Sequence, residues 1–472
     1  MNDFISSAVT SFTKYLNENK KLKGITSGNV LVSYATELLN FQSHLFINHL
    51  IKHYERAYYF EKPVENFRII GLDETLTISE SGDGRFAITD KKIKEWKNSF
   101  QNNWEEITIK RIPLFLGGMK FTTEHSDEDW QDYTDSTWFV PELIIADENS
   151  KIYLLFNFIL QSSNKEQLIK RFQTKLEKLF SFRDQKNSNH NIKILKSEGD
   201  TPKDKKRWKQ LVSDGLNKIS ENQIEKIVFS RKVDLYLSNE PDFNYIIEKL
   251  RTNYPECYTF IYHHGKSTFF GASPEKLAKF SDGKIEIDAL AGSAPRGNSS
   301  DEDFNLEQKL LNDKKNLNEH NFVISHIKSA LTNLTMNLIV ENHCSIKKLA
   351  NIQHIWSRIV ATLSPESSMI YLLKELHPTP AICGFPKDEA LHFIKKMEGY
   401  KRGLYSGIIG WFNLKEEGEF AVAIRSALFS NNKLTAFAGC GIVEDSDPEA
   451  EFKETELKLK PIMSLFKNEN KN

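Results

Sequence analysis

The chain has few cysteines, no long apolar run and almost no charge imbalance, and each shortage closes off a class of protein. Its 472 residues include four cysteines, Cys257, Cys344, Cys383 and Cys440. None forms a C-x-x-C pair, so neither a disulfide framework nor a cysteine-ligated zinc site is indicated. No stretch of about 18 apolar residues occurs, so no segment is expected to span a membrane. Formal net charge is −1 and there is no basic stripe, so nucleic acid is not an expected partner. The runs KDKKRWK (203–209) and DKK (313–315) read as solvated faces. Phosphate-loop and dinucleotide fingerprints are missing, which removes the usual sequence case for a nucleotide site. Internal repeats and proline-rich tracts are also lacking. The opening MNDFISSAVTSFTKYL carries an acid at position 3 and no long apolar core. It reads as an amphipathic helix rather than a signal peptide, and the cytoplasm is the expected location.

What is present describes a globular protein with ample core: 39% hydrophobic and 27% charged residues. The length allows roughly two or three domains, or one large sheet-based domain. Helical patterns fall at 4–20, 41–56 and 164–184, and strands at 67–72 and 152–160. The polar stretch RDQKNSNHN (183–191) opens a charged, apolar-poor region to about 205, a boundary between two parts, 1–200 and 201–472, expected to belong to one integrated domain. Beyond it come a helix at 207–222, a strand at 224–233, a helix near 242–253 and strands at 257–263 and 267–272. Residues 276–292 read as two strands joined by Ser-Asp-Gly, and 301–335 as one long charged amphipathic helix. Three strands, 403–414, 420–430 and 434–443, precede a final helix opened by Asp447-Pro448. Long strands with segregated helices predict an α+β fold with large antiparallel sheets.

Several residues could carry chemistry. On the 224–233 strand Lys226 shares a face with Val228 and Ser230, opposite Ile227, Phe229 and Arg231. A lysine there is either a solvated edge residue that discourages sheet pairing or a desolvated amine usable as a base. On the last helix Glu451, Glu454 and Lys458 share a face. They form either a salt-bridged surface or a carboxylate pair able to bind a hard cation such as Mg²⁺ beside a lysine that meets an anion. Glu319 lies next to the apolar positions Phe322, Val323 and Ile327. Glu275, in a Ser-Pro-Glu turn, is either a turn residue or a buried acid. Two glycine-rich stretches, LAGSAPRG (290–297) and AGCGIVEDS (438–446), read as turns whose small residues let backbone N–H groups approach a ligand.

In this order, a set of segments resembles the chorismate-utilising enzymes, which include isochorismate, salicylate, anthranilate and aminodeoxychorismate synthases. They are KIVFSR (226–231), FFGASPEKL (269–277), LAGSAPRG (290–297), EH (319–320), IQHIWSRI (352–359), HPTPAICGFP (377–386), RGLYSGIIGW (402–411), AIRSA (423–427) and GCGIVEDSDPEAEFKETELKLK (439–460). A weaker echo, FLGGMKFT (115–122) and WFVPE (138–142), resembles the family's N-terminal part. The first hundred residues carry no usable motif. The resemblance implies a chorismate-binding fold: two large, mainly antiparallel sheets packed together with helices outside.

Within the family the residues point to one branch. Aminodeoxychorismate synthases resemble this chain except for a lysine nucleophile where it has Ala291, so covalent amine catalysis there is unavailable. Ammonia-using branches lack a lysine matching Lys226. No glutaminase segment is present, and no glutaminase subunit is expected. Salicylate synthases usually have threonine where this chain has Ala381. The resemblance therefore implies an isochorismate synthase, serving menaquinone or catechol siderophore biosynthesis, with a quinone role favoured and a monomer expected. The alternatives are a salicylate synthase and a non-catalytic chorismate-binding protein. By resemblance Lys226 is the general base that activates water and Glu275 the general acid. The resemblance likewise implies that Glu319, Glu451 and Glu454 hold Mg²⁺, and that Gly292, Ser293, His354, Ala381, Tyr405, Arg425, Gly439, Gly441 and Lys458 contact substrate. Burial would lower the lysine and raise the glutamate, as such a pair needs near neutral pH. The chain departs from the pattern at Asn316, where the family often has an acid, and an outer metal contact there would be weaker or pass through an amide.

Overall fold

Residues 2–23, 29–38, 47–123, 128–160, 165–181, 192–349 and 352–466 are described by the structure, a computed structural model. The polar stretch expected at 183–191 lies outside them, as does the first part of the 41–56 helix.

The β-prone runs sort into two sheets, of thirteen and nine strands. Pairing is antiparallel except where Val30–Glu37 meets Phe100–Asn102. Both sheets are built from both halves of the chain. In the larger, Tyr258–His264 pairs with Arg56–Lys62; in the smaller, Ile408–Phe412 pairs with Phe115–Met119, which carries the FLGGM echo.

Side-chain alternation explains how the large sheet is buried on two faces. On Arg56–Lys62, Tyr58 and Phe60 enter the core between the sheets, while Ala57 and Tyr59 enter a second core on the opposite face. The Tyr58 hydroxyl donates to the Gly410 carbonyl of the facing sheet at 2.8 Å. The second core is closed by helices Asn2–Glu18, Lys165–Phe180 and Phe243–Asn253, whose Phe12, Phe172 and Ile247 are buried in it. Helix Pro202–Ser220 begins with a capping box between Thr201 and Asp204.

Four expectations need correction. The 41–56 helix is Ile47–His53 among the described residues, and the β-rich Arg56–Lys62 run that follows is strand. The helix expected over 301–335 is two, Ser300–Asn312 and Lys314–Leu331, because Asp313 is extended (ψ 112°) and its carboxylate caps the second helix through the Asn316 N–H. The segment 420–430 is not one strand. Gly418–Val422 belongs to the nine-stranded sheet and Ser426–Ser430 to the other, with Arg425 in the left-handed region (φ 53°) at the crossing. The glycine-rich stretches are not free turns: Lys284–Pro295 is a strand with a bulge at Gly292, and Lys433–Ile442 is a strand throughout.

Candidate active site

The chain crosses between the sheets at two neighbouring places. One crossing, after strand Ser267–Ser273 and before Lys276–Ser281, holds Glu275; the other holds Arg425. The crossings are tied together. The Ser273 hydroxyl donates to the Val422 carbonyl, and the Val422 N–H donates to the Glu275 carbonyl at 3.1 Å. A strand-to-strand switch needs non-repeating backbone, and here that irregular backbone carries charged side chains.

Beside the crossings lies a cavity of about 260 Å³. That size suits a small metabolite rather than a macromolecule. Every residue named above as catalytic, substrate-contacting or metal-ligating lines it. Lys226 heads strand Lys226–Leu237, in register with Lys433–Ile442 so that Val228 faces Gly441 and Ser230 faces Gly439. Gly292 and Ser293 come from the bulged strand, and Ser293 pairs with His354 on Ile352–Leu363. Glu319 comes from helix Lys314–Leu331, and Glu451, Glu454 and Lys458 from one face of Pro448–Met463. Phe452 and Leu459 on the opposite side of that helix are buried.

Lys226 is only 7% exposed, and its Nζ donates to Glu319 Oε1 at 2.6 Å. A Cβ on Gly441 would stand 2.8 Å from Lys226 Cε, so glycine at 441 is the space the lysine occupies. Gly439 and Gly441 therefore supply room within a ladder, not the turn of N–H donors expected at 439–441. Lys458 Nζ donates to Glu454 Oε1 at 2.6 Å and to the Gly439 carbonyl at 2.9 Å. Arg425, also buried, has no carboxylate within ion-pair distance among the described residues, which leaves its charge for an anion.

The titration shifts follow from these contacts. Burial pushes the Glu275 carboxyl up to about 7, against the opposing pull of Lys458 and Lys226. Glu319 is pushed up by burial and pulled down further by Lys226, so it ends below its ordinary value. Glu454 is held low, chiefly by Lys458. Glu451 is raised, first by burial and then by Glu454. Burial, with Arg425 and Lys458 near, lowers His354 to about 3, so its imidazole is neutral at physiological pH. The wall therefore presents an acid that titrates near neutral pH, a neutral imidazole, two lysine–glutamate pairs and an open arginine. Among the described residues no three acidic, histidine or cysteine side chains are grouped as metal ligands as they stand. Three carboxylates on one wall are nevertheless the hard oxygen donors that suit Mg²⁺.

Two features were missed. Lys315 is exposed, as expected of a solvated face, and it also stands at the cavity wall together with Asn316. Its place follows from the break at Asp313, which a continuous-helix reading conceals. Asn316 Oδ1 would stand 3.0 Å from a Cβ on Gly292 (φ 71°), so the departure at 316 abuts the bulge.

This is a two-sheet fold whose crossings and facing helices build one acid- and cation-lined cavity, the architecture of a small-molecule enzyme. Residues 17–467 match the family described as chorismate binding enzyme, and the chain belongs to that family. It is 29% identical over 449 residues to isochorismate synthase MenF of Bacillus subtilis, covering 94% of each chain. It is 30% identical over 409 residues to the salicylate biosynthesis isochorismate synthase of Pseudomonas aeruginosa, covering 85% of this chain and 83% of that one. In fold it matches the menaquinone-specific isochorismate synthase MenF from Escherichia coli with a TM-score of 0.79 at 21% identity, over 98% of this chain and 100% of the other.

Proposed function

We propose that the protein is an isochorismate synthase, an isomerase that converts chorismate to isochorismate by adding water at carbon 2 with loss of the hydroxyl at carbon 4. The observation that carries this is the convergence of Lys226, Glu275, Arg425 and the three glutamates on one cavity in a member of the chorismate-binding family. A relative named isochorismate synthase MenF and one named vibriobactin-specific isochorismate synthase both support the activity, and we leave menaquinone or a siderophore as the destination. No helix among the described residues is long and apolar enough to cross a membrane. We place the enzyme in the cytoplasm as a monomer acting without a glutaminase subunit.

In the proposed reaction Lys226 takes a proton from a water whose oxygen bonds to carbon 2. The ring double bonds shift by one position each, and the carbon 4–oxygen bond breaks. Glu275 gives its proton to the departing hydroxyl, which leaves as water. A carboxyl at about 7 suits this role, being about half protonated at neutral pH and so able both to hold and to release the proton. Arg425, Tyr405, Lys458, Gly292 and Ser293 bind and orient the substrate's carboxylates. The neutral His354 orients the ring without adding charge. Ala291 offers no nucleophile, and Ala381 leaves the wall beside the ring unfunctionalised.

Glu319 and Glu454 would hold Mg²⁺, with Glu451 acting through water. Bound there, the cation would neutralise the substrate's ring carboxylate. Glu319 is also the partner of Lys226, so one carboxylate would serve both the cation and the base.

The test is a product assay by NMR with purified protein and chorismate, with and without Mg²⁺. Isochorismate formed only with Mg²⁺ is the expected result. Salicylate with pyruvate would overturn the branch assignment, and bound but unchanged chorismate would overturn the enzymatic one.

A further inference from the structure

A buried ion pair lies directly behind the cavity wall, and the proposed chemistry does not use it. Arg402 and Glu398 are 2% and 1% exposed at their side chains. All three guanidinium nitrogens are engaged. Its Nε donates to Glu398 Oε2 at 2.9 Å, and one terminal nitrogen donates to the Ile382 carbonyl at 2.8 Å. The other donates to the Val228 carbonyl at 2.7 Å and to Glu398 Oε1. Its carbon lies 4.4 Å over the Phe121 ring. Glu398 Oε1 in turn accepts from the Ser230 N–H at 2.7 Å and the Ser230 hydroxyl at 3.0 Å.

The places these bonds reach are informative. Val228 is two residues from Lys226 on the same strand, and Ile382 follows Ala381; both line the cavity. The Val228 N–H is itself bound by the Cys383 carbonyl at 2.8 Å. Arg402 is three residues before Tyr405, and the Tyr405 N–H donates to the Arg402 carbonyl at 3.0 Å. One residue thus joins, through its guanidinium, the strand that carries the base and the segment that carries Ala381, and, through its carbonyl, the turn that carries Tyr405. The Phe121 N–H, from the chain's first half, donates to the Gly403 carbonyl at 2.8 Å and fixes the same turn.

Stability alone does not account for such a pair. A buried ion pair seldom exceeds a well-packed apolar replacement in stability, because desolvation offsets the Coulomb gain. An apolar side chain cannot hold two carbonyls of different segments at fixed separation, whereas a planar fork of donors can. Lysine, a point charge on a flexible stem, could not reach both carbonyls and the carboxylate at once.

We propose that Arg402, braced by Glu398, is a positioning residue that sets the distance between Lys226 and the part of the cavity wall formed by Ala381 and Tyr405. This rests on the isochorismate synthase reading. Misplacement by about 1 Å is enough to cost roughly a hundredfold in turnover. The experiment compares wild type, Arg402→Lys and Glu398→Gln in the full chain with Mg²⁺ and chorismate. It reads kcat and KM for isochorismate formation, with kcat corrected for the folded fraction seen in thermal unfolding. The expected result is a fall in kcat per folded enzyme of about a hundredfold for Arg402→Lys and about tenfold for Glu398→Gln, with KM within about threefold of wild type. A lowered melting temperature with unchanged kcat per folded enzyme would make the pair purely structural and overturn the proposal. Raised KM at unchanged kcat would overturn it too, by assigning the pair to binding. If Arg402→Lys does not fold, Glu398→Gln, which keeps the guanidinium and its carbonyl bonds, carries the same readings. Wild type that makes no isochorismate would defeat the underlying reading, and the positioning role with it.

Discussion

Replacing Glu275 with glutamine should make the protein more stable at alkaline pH while stopping its chemistry. Glu275 has its carboxyl raised from 4.5 to about 7 by burial. Between those two values the native state holds a proton that the unfolded chain has released, so native stability falls as pH rises through the window. The full cost is about 3 kcal/mol at pH 8, and about 2 kcal/mol of it develops between pH 5.5 and 8. An amide keeps a neutral hydrogen-bonding group at the site and does not titrate. For a chain of this length an unfolding entropy of about 1 kcal/mol/K is expected, so glutamine should gain about 2 °C in melting temperature over wild type between pH 5.5 and 8. Thermal unfolding of both proteins at several pH values measures this directly. In parallel, wild-type kcat/KM should fall about tenfold per pH unit above about 7, the limb expected of an essential acid, and the variant should lose turnover. A melting-temperature difference that stays constant from pH 5.5 to 8 would refute the reasoning, because it would mean that Glu275 titrates in the ordinary carboxylate range.

The other predictions concern the groups around it. Gly441→Ala places a Cβ 2.8 Å from Lys226 Cε; the flexible lysine end should yield, leaving thermal stability within about 1 kcal/mol while displacement of the amine lowers kcat by about a hundredfold. Normal kcat would show that the amine's position is not critical. Lys226→Ala should remove water addition while the far-ultraviolet circular dichroism stays native, and a normally active variant would defeat the assignment of the base. Glu454→Gln should raise the Mg²⁺ concentration for half-maximal rate at least about tenfold; full activity in EDTA, in this variant or in wild type, would take the metal out of the reaction.

How much was legible in advance can be judged from particular residues. The shared face of Glu451, Glu454 and Lys458 follows from helical period alone, and all three reach the cavity. The alternation of Lys226 and Val228 against Ile227 and Phe229 follows from strand period, with the first pair at the cavity and the second in the core. Asp447-Pro448 is a local start signal, and the carboxylate of Asp447 does cap the Ala450 N–H. The break at Asp313 was less legible, because the apolar spacing continues across it. AIRSA read as plain strand because a crossing between sheets leaves no periodic trace; only the positive φ of Arg425 marks it.

The sequence by itself determined the elements whose cause is local: strands and helices set by period, caps set by one side chain, and the order of motifs that identifies the family. Tertiary structure alone decided what depends on residues far apart in the chain. It paired Lys226 with Glu319 and Lys458 with Glu454, and left Arg425 without a carboxylate partner among the described residues. It also enclosed Glu275 so that burial outweighs two nearby lysines. The physical reason is that charge and desolvation act over a few ångströms of space, and the chain sets those distances only when two sheets close on one another.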